Sequence, residues 1–192
     1  MPELLLASTS IYRRALLARL CVPFTTQAPG VDEAAVKAGG KGPLAVVTEL
    51  ARQKARAVAA QHPGAIVIGS DQAAAIDGEI LDKPGDVVRA AAQLRRLAGR
   101  AHELLTAVAI EHPAGVVEFV DTTRLHMRAL SQAEIDRYLA AEAPFDCAGS
   151  YKIEGLGISL FERIDSQDQT AIIGLPLLRL GCELRRLGLR LP

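Results

Sequence analysis

The sequence predicts an α/β fold in which a mixed β-sheet is flanked by helices. Segments with the apolar pattern of strands are interleaved with segments whose apolar residues recur at helical spacing. Hairpin signals also join some of the strands, which favours a mixed sheet over a strictly parallel one. The 192 residues contain no internal repeat, low-complexity tail or long linker, so we expect a single domain spanning 1–192, which can divide into two lobes.

The first strand is predicted at residues 4–7, an apolar run typical of a buried parallel strand. A helix follows the polar residues 8–10, because Ala15, Leu16, Leu17 and Leu20 recur at helical spacing. Further strands are predicted at residues 65–70, 104–111, 116–127 and 156–164. Further helices are predicted at residues 44–61, 86–98, 131–141 and 176–188.

Local signals mark several of these boundaries. Asp77-Gly78 is a two-residue hairpin signal after the strand at 65–70. Gly99 ends the helix at 86–98, and Ser131 with Glu134 forms a capping box that opens the next one. The helix at 44–61 has an inward apolar stripe, made of Leu44, Val47, Ala51, Ala55 and Val58.

The amino-acid composition excludes some classes of protein but does not indicate an activity. The apolar fraction is 49% and the charged fraction 23%, and the 22 basic residues balance the 22 acidic ones. This balance argues against a nucleic-acid binder or a membrane-surface binder. Three widely spaced cysteines indicate neither a disulfide framework nor a zinc site. No signal peptide or membrane-spanning run is recognisable, so we expect a cytoplasmic protein.

Ser8, Ser10 and Arg13 stand where the first strand turns into the first helix. Unpaired backbone N–H groups and the helix dipole favour an anion at such a position. An arginine adds a planar fork of donors that suits phosphate oxygens. The alternative is simple capping by Ser8 or Ser10 with a solvated arginine.

Asp71 follows a buried strand directly, at the sheet edge where α/β proteins usually bind ligands. A strand-end aspartate in a turn is the alternative. Lys54 lies beside the inward apolar stripe of its helix, where a buried ammonium group needs a partner of opposite charge. The alternative is that its aliphatic stem extends past the core and its ammonium group reaches solvent. Glu33 lies in a loop after Pro29, and Lys83 precedes Pro84 in a turn, where either could simply be solvated.

Together these residues form a set of cations, hydroxyls and carboxylates that suits a polyphosphate with a divalent metal. The sequence has no Walker loop, no Gly-x-Ser-x-Gly elbow and no His-Glu-x-x-His motif. The four histidines lack the spacing of metal ligands, and we interpret them as surface or structural residues: His62, His102, His112 and His126.

The chain resembles the Maf family of nucleoside triphosphate pyrophosphatases along its whole length. The motifs that carry the resemblance occur in the family's order: Leu5-Leu6-Ala7-Ser8-Thr9-Ser10-x-x-Arg13, Val31-Asp32-Glu33, Leu50-Ala51-x-x-Lys54-Ala55, Ile68-Gly69-Ser70-Asp71-Gln72, Asp82-Lys83-Pro84, Ala148-Gly149-Ser150-Tyr151-Lys152-x-Glu154-Gly155-x-Gly157 and Ile173-Gly174-Leu175-Pro176-Leu177. The resemblance implies a two-lobed α/β fold around a deep cleft, hydrolysis between the α- and β-phosphates, a divalent cation (Mg, Mn or Co), and homodimers.

The resemblance also implies roles for individual residues. Asp71 would be the general base, with Glu33 and Lys83 completing the catalytic set, and Glu33 and Asp71 would hold the metal. The triphosphate would be bound by Ser8, Ser10, Arg13, Lys54 and Lys83.

Within the family the chain is most similar to the YceF-type members, which act on 7-methyl-GTP. Gln72 and Glu154 carry this likeness, because the dTTP/UTP-directed members tend to have Thr and Gln there. Tyr12 and Ile11 depart from the usual Trp and Pro. A carboxylate can accept both donors of the guanine edge, and stacking of the cationic 7-methyl base on Tyr12 would add about 0.5–2 kcal/mol. The alternatives are a dTTP/UTP pyrophosphatase or a non-catalytic nucleotide-binding regulator.

Overall fold

The structure is a computed structural model that describes residues 2–191. Met1 and Pro192, the two ends of the predicted domain, lie outside the described residues. The strands are β1 (Leu4–Ala7), β2 (Thr25–Gln27), β3 (Ile66–Ile76), β4 (Glu79–Leu81), β5 (Ala101–His112), β6 (Gly115–Met127) and β7 (Phe161–Asp165). The helices are α1 (Ile11–Ala18), α2 (Glu33–Ala38), α3 (Pro43–Ala59), α4 (Val87–Leu97), α5 (Gln132–Glu142), α6 (Gln169–Ile173) and α7 (Leu177–Arg186).

Within the described residues, seven strands form one mixed sheet in the order β2-β1-β3-β5-β6-β7, with β4 paired to β3. β1 is parallel to both β2 and β3, whereas β4 is antiparallel to β3 and β7 is antiparallel to β6. The predicted α/β class with a mixed sheet is therefore confirmed. No described helix is both long and apolar enough to cross a membrane.

The chain folds into two compact units, each assembled from separate segments. The first unit comprises the residues up to Asp71, Thr106–Asp121 and the residues from Asp168 onward. Its core is formed by side chains from β1, β3, β5, α1 and α7, including Leu6, Leu17, Ile68, Val108 and Leu180. The two predicted lobes correspond to the two units.

The second unit comprises Gln72–Leu105 and Thr122–Gln167. In this unit α4 packs against α5, and the buried side chains include Leu94, Leu97 and Ile135. The capping box predicted at Ser131 is present: its hydroxyl accepts from Glu134 N–H, and the Glu134 carboxylate accepts from Ser131 N–H. α5 therefore begins where the sequence predicted.

Two predicted strands differ from those observed. The strand predicted at 65–70 continues to Ile76, because Ala74 to Ile76 pair with β4 across the predicted Asp77-Gly78 turn. Residues 156–160 form a short 3₁₀ helix, and only Phe161–Asp165 is a strand. Gly157 lies against the Lys152 backbone, where a Cβ would overlap it, so this close approach requires a glycine.

Candidate active site

The turn between β1 and α1 is held by the two predicted serines. Ser8 is buried, and its Oγ accepts a hydrogen bond from Ser10 N–H (3.1 Å). Ser10 is the N-cap of α1, and its Oγ accepts from Arg13 N–H (3.3 Å). The capping alternative is thus correct for Ser10 as a local role, and that cap places Arg13 in the first turn of the helix.

The Arg13 side chain is directed toward the segment after α6 rather than into solvent. Its Nε donates to the carbonyl oxygen of Gly174 at 3.0 Å. Desolvation lowers the pKa of this guanidinium below its ordinary value, and the charges of Asp71 and Glu33 act in the opposite direction. Arginine side chains stay protonated in proteins, so Arg13 is a cation that shares its surroundings with two carboxylates.

Lys54 joins those two carboxylates. Its Nζ lies 2.6 Å from Asp71 Oδ1 and 2.6 Å from Glu33 Oε1. The side chains of Lys54 and Asp71 are only 7% and 11% exposed, whereas that of Glu33 is 48% exposed. The buried ammonium has the partners that its position requires, so the alternative in which its charge escapes to solvent is wrong.

The position of Asp71 in the strand corrects one expectation. Asp71 does not follow β3 but lies inside it, because β3 extends five residues further along its hairpin with β4. The pairing of β1 with β3 nevertheless ends at Ala7 and Gly69, two residues before Asp71. The carboxylate therefore still lies just beyond the carboxyl end of β1, near the edge that the sequence indicated.

Gly69 allows α3 to pack closely enough on β3 to place Lys54 beside Asp71. A Cβ on Gly69 would overlap the carbonyl oxygen of Ala51 and approach the Ala55 nitrogen within 2.5 Å. The backbone of α3 can therefore lie directly on β3 only because residue 69 has no side chain. Lys54 is in the same turn of α3, so this close approach brings its ammonium to Asp71.

A divalent metal is compatible with this set of donors. Among residues 2–191, no group of three or more His, Cys, Asp or Glu side chains could hold a metal ion. Mg²⁺, however, is commonly bound by one or two carboxylates with waters and substrate phosphates as the other ligands. The carboxylates of Glu33 and Asp71, which both contact Lys54 Nζ, are donors of this kind at the site.

The remaining predicted site residues are distributed over both units. Tyr12 is half-buried on α1 of the first unit. Gln72, which follows Asp71 along β3, is half-buried and belongs to the second unit. Lys83 and Glu154 are exposed residues of that second unit, in the segment after β4 and in the loop after Tyr151.

The loop that carries Glu154 is held by several hydrogen bonds. Ser150, which has a left-handed backbone (φ +62°), donates from its Oγ to Gln93 Oε1 at 2.6 Å. Tyr138 OH accepts from Lys152 N–H at 3.0 Å. Glu142 Oε2 accepts from Leu156 N–H at 2.6 Å, so bonds precede and follow Glu154.

His102 has a structural environment, as the sequence predicted. It is 3% exposed, and its Nε2 lies 2.9 Å from Tyr151 OH. Burial, with a smaller contribution from His126, lowers the pKa of His102 to about 4. Its imidazole is therefore neutral at physiological pH.

Sequence reasoning gave no role to three residues that contact this site or support it. Ser70 is fully buried and donates from its Oγ to the Gly174 carbonyl at 3.1 Å, the same oxygen that binds Arg13. Asp168 is buried at the amino end of α6. Gly174 stands in a motif that was recognised, but nothing in its spacing indicates a contact with Arg13.

Comparison with known proteins identifies the class of this protein. Residues 3–187 match the family of Maf-like proteins. The chain belongs to the Maf family, and the predicted resemblance is confirmed.

Individual relatives match over all or nearly all of the chain. A 7-methyl-GTP pyrophosphatase of Xanthomonas oryzae pv. oryzae (strain MAFF 311018) is 52% identical over 192 residues, which is 100% of both chains. A protein of the same name from Bordetella avium (strain 197N) is 50% identical, over 98% of this chain and 94% of the relative.

Among solved structures, a HAM1 protein from Coxiella burnetii has a similar fold. Its TM-score is 0.53, with 14% identity over 97% of this chain and 100% of that one.

Proposed function

We propose that this protein is a nucleoside triphosphate pyrophosphatase that hydrolyses 7-methyl-GTP to 7-methyl-GMP and pyrophosphate. The Asp71–Lys54–Glu33 cluster, in which Asp71 and Lys54 are buried, is the observation that carries the reaction class, and Arg13 lies close to it. It combines carboxylates for a base and a metal with cations for phosphates. The names of relatives about 50% identical over at least 94% of their length support the substrate.

The proposed reaction is attack of water on the α-phosphorus. Asp71 accepts a proton from the water as its oxygen bonds to phosphorus, and the bond from the α-phosphorus to the oxygen that bridges to the β-phosphate breaks. Arg13 and Lys54 neutralise phosphate oxygens, while Ser8 and Ser10 form the turn that receives them. From the family resemblance we assign Lys83 the neutralisation of the departing pyrophosphate.

A divalent cation, Mg, Mn or Co, completes the proposal. Glu33 and Asp71 are the residues that would hold it. When bound, it would screen the negative charge of the phosphates and of the developing transition state. Lys54 orients both carboxylates whether or not they are ligands.

Recognition of the base is assigned to Gln72, Glu154 and Tyr12. The exposed carboxylate of Glu154 is suited to accept the two donors of a guanine edge, and Tyr12 offers an aromatic face to a cationic base. A homodimer, which rests on the family resemblance alone, and a cytoplasmic location, which is expected from the sequence, are also part of the proposal.

Hydrolysis of 7-methyl-GTP, GTP, dTTP and UTP, measured side by side, tests this function. We expect kcat/KM to be highest for 7-methyl-GTP, by about 10-fold, since a cation–π contact with Tyr12 and the negative charge of Glu154 would both favour the methylated base. The phosphorus product should be pyrophosphate, and a chelator should abolish its release. A preference for dTTP and UTP would contradict the substrate, and tight binding without pyrophosphate release would contradict the reaction.

A further inference from the structure

The carboxylate of Asp168 joins the amino ends of α6 and α7. Asp168 is 6% exposed, and its Oδ1 accepts hydrogen bonds from Thr170 N–H (2.9 Å) and from the Thr170 hydroxyl. Its Oδ2 accepts from Leu178 N–H at 2.8 Å, in the first turn of α7. The Thr170 hydroxyl in turn accepts from Leu177 N–H at 2.8 Å. One buried side chain thus satisfies donors at both helix ends.

The segment between these two helix ends holds the carbonyl that binds Arg13. Gly174 follows α6 with φ +124°, a conformation that favours glycine. Its carbonyl oxygen accepts from Arg13 Nε at 3.0 Å and from Ser70 Oγ at 3.1 Å. The same oxygen therefore fixes the arginine of α1 and the residue that precedes Asp71 in β3.

We propose that Asp168 is a positioning residue of the active site, which acts through the Gly174 carbonyl on Arg13 and Ser70. The inference rests on the proposed function, in which Arg13 binds a phosphate. By fixing both ends of the Gly174 segment, Asp168 fixes the acceptor that orients the guanidinium before the substrate arrives. Asp168 itself contacts no substrate in this proposal.

Asp168→Asn is the first variant that tests the role. Asparagine keeps an oxygen for Thr170 N–H, but its amide nitrogen cannot accept from Leu178 N–H. We expect kcat/KM for 7-methyl-GTP to fall about 10- to 100-fold. The matched control is Asp86→Asn, at another N-cap aspartate, which accepts from Arg89 N–H at 2.8 Å in the second unit. It should leave kcat/KM within about twofold of the unchanged protein.

A double-mutant cycle with Arg13→Lys distinguishes positioning from a purely stabilising contact. Lysine cannot reproduce the Nε contact with Gly174. Once Arg13 is replaced, Asp168→Asn should therefore lower the affinity for tripolyphosphate little further. The cycle is measured by calorimetric binding of inorganic tripolyphosphate, which requires no catalysis. Additive losses of affinity, or an Asp168→Asn protein that binds tripolyphosphate normally, would overturn the inference.

Thr170→Val provides a second cycle in case Asp168→Asn does not fold. It removes the hydroxyl that joins Asp168 to Leu177 N–H and keeps the side-chain volume. We expect a smaller loss of tripolyphosphate affinity that is again absent in the Arg13→Lys background. A protein that shows these couplings but releases no pyrophosphate from 7-methyl-GTP would refute the proposed function and leave the positioning role of Asp168 supported.

Discussion

Asp71 and Lys54 show how buried charges are made compatible with a protein interior. A lone buried ammonium or carboxylate is costly, but Lys54 lies 2.6 Å from each of two carboxylate oxygens. Glu33 is half-exposed, so the cluster extends from the interior to a surface that solvent reaches. Glu33 is therefore accessible to water and ligands, whereas Asp71 is largely buried beside Lys54.

Replacement of Asp71 by asparagine tests the role of the general base. The amide has nearly the same shape but cannot accept the proton of the attacking water, so turnover should fall by at least about 100-fold. Lys54 keeps Glu33 as a partner, and the fold and nucleotide binding should persist. The measurements are pyrophosphate release and calorimetric binding of 7-methyl-GTP.

The control for this replacement is Asp136→Asn. Asp136 is an exposed residue of α5 that accepts a hydrogen bond from the Gln132 side chain. Its replacement should leave the rate unchanged. Near-normal turnover of the Asp71→Asn protein would exclude Asp71 as the base.

At the scale of elements, the contact between α3 and β3 positions the charged cluster. Val47, Ala51, Ala55 and Val58 form the predicted buried stripe of α3, whereas Leu44 is 55% exposed and the stripe begins one turn later than predicted. Gly69 lies against the Ala51–Ala55 turn, where small residues allow the two backbones to meet. This packing sets the distance from Lys54 to Asp71.

Gly69→Ala should therefore separate α3 from β3. The added methyl group overlaps backbone atoms rather than a flexible side chain, so we expect the free energy of unfolding to fall by about 3 kcal/mol. Displacement of Lys54 should also lower turnover in the protein that remains folded. Urea unfolding and pyrophosphate release measure the two effects.

Gly181→Ala is the matched control for Gly69→Ala. Gly181 lies within α7, and among the described residues a Cβ there would meet Arg185 Nη1 alone, at 3.9 Å. This replacement should stabilise the protein by about 0.5 kcal/mol, because alanine is the better helix former. Equal effects at the two glycines would contradict the packing argument.

At the scale of the whole molecule, each unit has its own buried polar contacts. In the second unit these include His102 with Tyr151 and Ser150 with Gln93. The rings of His102, Tyr151 and Phe161 also pack on one another, with centroids 5.0 to 6.0 Å apart. A charged imidazole would be unfavourable in these surroundings.

Stability should consequently decrease in acid. The pKa of His102 is about 4 in the folded protein and 6.5 ordinarily, so the unfolded chain binds a proton between these values that the folded protein does not. The contribution of His102 to the free energy of unfolding is complete above pH 6.5. It decreases by about 3 kcal/mol as the pH falls toward 4. His102→Gln should flatten this part of the stability profile, measured by urea unfolding across that range.

His112→Gln is the control for the pH profile. His112 lies at the end of β5, and its Nδ1 accepts from Ala114 N–H. The control should keep the decrease in stability between pH 6.5 and 4. A His102→Gln protein with the same decrease would show that another group is responsible.

Most of the long elements could be predicted because their signals are local. The capping box at Ser131, the Asp77-Gly78 turn and the apolar run of β1 depend only on neighbouring residues. β2, α2 and α6 are three to six residues long and were not predicted. Segments of that length are too short for a periodic pattern to emerge.

The sequence by itself determined the α/β class, the family, and the supply of acids, hydroxyls and cations for polyphosphate chemistry. Only the tertiary structure decided that Lys54 bridges Glu33 and Asp71, and that Asp71 stands inside a strand. It also decided that the Gly174 carbonyl binds Arg13, 161 residues away. Local sequence patterns predict the conformation of neighbouring residues, whereas contacts between residues distant in sequence depend on how the helices pack on the sheet.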